Sequence, residues 1–178
     1  MSIIQGLRAA LLLGCGRPEG AELVGNDHPA VIFSFWAMLL CLPSLLFLGL
    51  IQPSAHLTLE VARLVVRFAV SWLVFVAATH HMAHLMGKQT LWPRFIAVWA
   101  WCSVLENTAV ALGGLPGPLG LPPMIGQVAF LISLGWALWL EWYAIRLTLK
   151  VEALTAVALV VFDITIGEVM AAIGAMTG

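Results

Sequence analysis

Residues 57–86, LTLEVARLVVRFAVSWLVFVAATHHMAHLM, are long and apolar enough to cross a bilayer, yet they carry Glu60, Arg63, Arg67, His80, His81 and His84. On a helix, Glu60, Arg63 and Arg67 share one narrow face, because three- and four-residue spacings return to the same side. That face continues through Ser71, Val74, Ala78 and His81. Charges inside hydrocarbon are costly and normally face other helices or a wet cavity, where they find a partner. The stretch therefore predicts a multi-span protein whose other helices supply opposite charges.

The remainder of the chain fits that demand. Of its 178 residues, 62% are hydrophobic and only 10% charged, whereas a soluble domain carries about a quarter charged residues. A net charge of −1 excludes the basic surface that a nucleic-acid partner needs. Cys15, Cys41 and Cys102 are too few and too scattered for a disulfide framework. Leu12-Leu13-Gly14-Cys15 has the form of a lipoprotein cleavage box, but Arg8 leaves only Ala9 to Gly14 as apolar core, too short for a signal peptide. The first segment is expected to stay.

Hydropathy divides the chain into a cytoplasmic interfacial helix with a polar loop over residues 1–28 and a five-span transmembrane domain over 29–178. The spans fall at about 29–51, 57–86, 91–112, 124–147 and 151–176, each near the roughly 20 residues that a bilayer requires. Gln52–His56 makes a turn, Pro43 is expected to kink the first span, and residues 113–123, GGLPGPLGLPP, form an uncharged loop. The fold class is an all-α membrane bundle with a short N-terminal interfacial helix. Arg8 and Arg17, Lys88 and Arg94, and Arg146 and Lys150 fall in alternate extramembrane segments. By the positive-inside rule, this puts the N-terminus in the cytoplasm and the C-terminus outside a bacterial inner membrane.

Three groups of residues are candidates for chemistry. Glu60, Arg63, Arg67, Glu106, Asn107, Asp163 and Glu168 are expected to form an intramembrane polar network, read either as ion pairs that fix helix packing or as a proton path. His80, His81 and His84 end the second span; His80 and His84 are one turn apart and could share a metal with Glu141, or relay protons. The carboxylate within the spacing of H-E-x-x-H is missing, and facing axial histidines for haem are not offered. No metal or other cofactor is therefore expected as a rule. Arg8 and Arg17 are candidates for contact with the membrane surface. No G-x-S-x-G, phosphate loop or Asp-rich metal cluster is present, so the pattern points away from an enzyme.

The segment EWYAIRLTLKVEALTAVALVVFDITIGEVMAAI, residues 141–173, joins an aromatic-rich span through a basic turn to a last span with a central aspartate. In this ending and in its five-span layout the chain resembles Yip1-domain membrane proteins, in particular small bacterial members. The Asp-Leu-Tyr-Gly-Pro motif of eukaryotic members is absent from residues 15–30, so their trafficking role is not implied. The resemblance implies a helical bundle acting through other membrane components. The leading expectation is a non-enzymatic accessory or scaffolding protein that binds lipids and another membrane protein or a second copy of itself. The alternative is a small transporter or proton-coupled channel lined by the intramembrane Arg, Glu and Asp residues.

Overall fold

Proline and glycine punctuate this chain, and they set where its helices start and stop. In the computed structural model, which describes residues 2–50 and 57–176, the described residues form helices α1 (Ile3–Gly14), α2 (Glu19–Glu22), α3 (His28–Leu50), α4 (Leu57–Leu85), α5 (Trp92–Gly113), α6 (Pro123–Leu149) and α7 (Ala153–Met176). Prolines stand in the first turns of α5 and α6, where the missing N–H costs nothing. Lys150 ends α6 in the left-handed conformation with φ 51°. Helix α3 runs on through Pro43. The turn expected at Gln52–His56 lies outside the described residues.

Helices α3 to α7 are each long and apolar enough to cross a membrane, and they lie within a few residues of the spans read from hydropathy. The chain is thus an all-helical bundle with five candidate spans and a short N-terminal helix. The helices are not equivalent. The most apolar stretch of α5 is 61% buried, against 11–28% in the other four, and α5 touches α1, α3, α4 and α6. The buried residues gather at one end, around Phe95 to Val104 of α5. This packed end also holds the turn between α4 and α5, because Asn26 Nδ2 donates to Thr90 O at 2.9 Å and Arg94 N donates to Asn26 Oδ1 at 3.1 Å. At the other, open end, α6 and α7 present Met124, Leu131 and Val169 outward.

Helix α1 belongs to the packed end. Ser2 caps its first turn, accepting from Gln5 N at 3.2 Å. Its face of Gly6, Ala9, Ala10 and Leu13 is buried, while Ile4, Arg8 and Leu11 are exposed. Gly6 is required by close approach, since a Cβ there would run into the indole of Trp101. A Cβ on Gly14 would stand 2.9 Å from Trp136. The carbonyls that α1 leaves unpaired at its end are taken up by α6: Trp136 Nε1 donates to Gly14 O at 3.3 Å and Tyr143 OH to Gly16 O at 3.0 Å. Trp136 is midway along α6 and Trp101 midway along α5, so α1 packs against the bodies of these two helices.

Overpacking a closed site of this kind costs about 1–3 kcal/mol. Gly6→Val is expected to lower the melting temperature in detergent, read by intrinsic tryptophan fluorescence. Gly167→Ala, where nothing lies within 4 Å of the added carbon, should not lower it and should raise it slightly, since alanine is the better helix former.

Candidate functional site

Helix α4 turns its aromatic side inward. Trp72, Phe75, Thr79 and Ala83 are buried, and Phe75 stacks on Trp99 of α5 with ring centroids 4.5 Å apart. The opposite face, with Glu60, Arg67, Val74 and His81, is exposed. The expectation that the charged face of this span meets the other helices is therefore corrected: large aromatic area outcompeted three charges for the interior. Arg63 pairs only with Glu60 on its own helix, at 3.4 Å, and both are well exposed. This is the only ion pair among the described residues, and Arg67 and Glu168 take part in none.

The acids that do meet are Glu106, Glu141 and Asp163, brought together from α5, α6 and α7. Phe162 lies 6.4 Å from Phe75, which turns its neighbour Asp163 toward α6 and α5. Glu141 sits on the inward face of α6 with Ala137, Leu140, Ala144, Ile145 and Thr148, and is 4% exposed. The Glu141 and Asp163 carboxyls lie within side-chain hydrogen-bonding range, and Glu106 acts electrostatically with both. The Trp99 indole is turned toward Glu141 and Asp163 without completing a hydrogen bond: its Nε1, Glu141 Oε1 and Glu106 Oε1 are all buried and unpartnered. Cys41 of α3 and Cys102 of α5 are within electrostatic reach of Glu106.

At about 1.5 Å per residue, these groups form a ladder along the bundle. Counted from the helix ends at the packed side, Trp99 is roughly 10 Å in, Glu141 roughly 12 Å, Asp163 roughly 15 Å and Glu106 roughly 21 Å. Asn107, next in line, donates through Nδ2 to Ser103 O at 2.8 Å, and Ser103 Oγ donates to Trp99 O at 3.0 Å. Both side chains thus bond to their own helix.

The expected polar network divides accordingly. Glu106 and Asp163, both half-buried, join Glu141 in the inner cluster, Glu60, Arg63, Arg67 and Glu168 lie on the outside, and Asn107 borders the cluster on α5. Glu141, expected beside the histidines, joins the acids instead. His80 packs edge-on against Trp92 at 4.7 Å, His84 Nδ1 meets Gln89 Oε1, and His81 is exposed. Among the described residues, no group of three or more His, Cys, Asp and Glu is placed to hold a metal ion. Arg8 and Arg17 are exposed at the packed end. Sequence reasoning missed Trp99 as a neighbour of the acids. The spacing of Ala137, Glu141, Ala144 and Thr148 was the available sign that Glu141 faces inward.

These features define the class: an integral membrane protein built as a helical bundle, with an acidic cluster, one member buried and two half-buried, where three spans meet. No protein-family model, curated protein or solved structure matches the chain.

An unpartnered buried acceptor costs about 1–3 kcal/mol. Glu141→Leu and Glu106→Leu are therefore expected to raise the melting temperature of the purified protein. A clear fall in both variants would make the carboxyls supports of the fold.

Proposed function

We propose that the protein is a small proton-coupled transporter or channel in which Glu141, Asp163 and Glu106 pass the proton. The observation that carries this reading is the convergence of three carboxyls from three helices with no ion pair among them. Buried charges without partners are expensive, and intramembrane acids kept at that cost mark ion and proton pathways. Two carboxyls within hydrogen-bonding range form an arrangement in which one proton can be held between them, as in paired acids of catalytic sites. Trp99 Nε1 is a donor for whichever carboxylate is left charged. Glu106 lies further along the bundle and is the next acceptor, so a proton taken up at Glu141 moves toward the open end.

A second reading, an accessory protein that binds other membrane components, draws on a different observation: the outward face of α4 with Glu60, Arg63 and Arg67. The Yip1-like layout favours the same idea. The grouping of Arg8, Arg17, Lys88, Arg94, Arg146 and Lys150 near the packed end supports a cytoplasmic N-terminus in a bacterial inner membrane.

Proton flux into vesicles reconstituted with the pure protein, followed with an enclosed pH dye under a potassium-diffusion potential, tests the proposal. Wild-type protein should acidify the lumen faster than empty vesicles. Asp163→Asn and Glu141→Gln keep the side-chain shape and remove the exchangeable proton, so each should bring the rate down to the empty-vesicle level at equal protein content. Arg67→Gln should leave it unaltered. Wild-type flux equal to that of empty vesicles, or full flux in the Asp163→Asn/Glu141→Gln double variant, would sink the proposal.

A further inference from the structure

The outward charges of α4 and α7 have their own geometry. Phe75 and Phe162 meet across the contact between these helices, and Phe75 also stacks on Trp99, so the two phenyl rings mark the inward direction. A helix turns roughly 100° per residue. Arg67, eight residues before Phe75, lies about 80° round α4, and Glu168, six residues after Phe162, lies about 120° round α7. The helices run antiparallel, and the two rotations proceed in opposite senses. Both charges therefore emerge on the same side of the helix pair, away from α5. Both are exposed, and measured from the Phe75–Phe162 contact toward the open end their levels are roughly 12 Å and 9 Å, within one helical turn.

An arginine and a glutamate at one depth, each without an ion-pair partner, are poor company for lipid tails. They form a self-complementary set. A second copy related by a two-fold axis along the membrane normal lays its α7 against the first copy's α4, and its α4 against the first copy's α7. Each Arg67 then meets the Glu168 of the other copy, which is the reciprocal contact that two-fold symmetry requires. Val74 and Val161, exposed on the same side by 37% and 54%, lie at matching levels and supply the apolar part of the contact. We infer that the α4–α7 outer face is a homodimer interface held by two symmetric Arg67–Glu168 ion pairs.

Charge reversal tests this directly. In lipid nanodiscs or mild detergent, native mass spectrometry should find the wild type dimeric. Arg67→Glu and Glu168→Arg should each weaken self-association by about a hundredfold, at roughly tenfold for each of two pairs. Mixing the two single variants, carrying different tags, should restore a heterodimer, because one symmetric position then holds a reversed but still opposite pair and the other keeps the native Arg67–Glu168 pair. An Arg67–Glu168 pair formed within one chain would leave that mixture monomeric and overturn the inference, as would a monomeric wild type. A second measurement does not depend on the reversed charges. In a Cys15→Ser background, Val74→Cys in one tagged copy and Val161→Cys in the other should form an oxidant-induced cross-link between copies, and its absence would count against the interface.

Discussion

The aromatic seam running from Trp72 through Trp99 and Phe75 to Phe162 settles the rotation of three helices at once. Trp72 and Trp99 lie 5.1 Å apart, Phe75 and Trp99 4.5 Å, and Phe75 and Phe162 6.4 Å. Aromatic pairs at such distances contribute about 0.5–1.5 kcal/mol each beyond the area they bury. With Trp72 and Phe75 inward, helical phase leaves Glu60 and Arg67 outward. With Phe162 against Phe75, Asp163 follows into the bundle. Trp99, stacked through its ring, is left with its N–H among carboxyls. The inward acids and the outward arginines are two consequences of one packing choice.

That choice separates charge in an unusual way. Acids gather inside without cations, while cations remain outside without enough acids. A bundle built for stability alone would have neutralised one set with the other, since breaking buried pairs is costly and lipid offers no relief. The separation has a use if the inner set exchanges protons and the outer set recruits a matching surface. Each role needs its charges unpaired within the single chain.

Much of the fold was legible because bilayer thickness is a hard rule. A run of some 20 apolar residues reads as a span, and helices α3 to α7 lie where that rule puts them. The rotation of the helices was less legible. For α4, the sequence offers a polar face and an aromatic face, and the rule that charges seek partners competed with the area of Trp72 and Phe75. Aromatic area won, which depth and phase on a single helix do not reveal. Glu141 was misplaced for a related reason. Its neighbours Trp139, Trp142 and Tyr143 look like a boundary cluster, and Trp139 and Tyr143 do stack at 5.3 Å on a side of α6 different from Glu141.

The bundle is packed unevenly, and no ion pair among the inner acids holds α5, α6 and α7 together. Cohesion has another source. It comes from the packed end, where α1 closes on Trp101 through Gly6 and α6 ties down the end of α1 through Trp136 and Tyr143. Toward the open end the contacts thin out, and the outer faces of α4, α6 and α7 are left to lipid or to another chain. A proton path benefits from such an arrangement. The clasp keeps the carboxyls within reach of one another, and the proposed path would require water to enter the loosely joined half beyond Glu106.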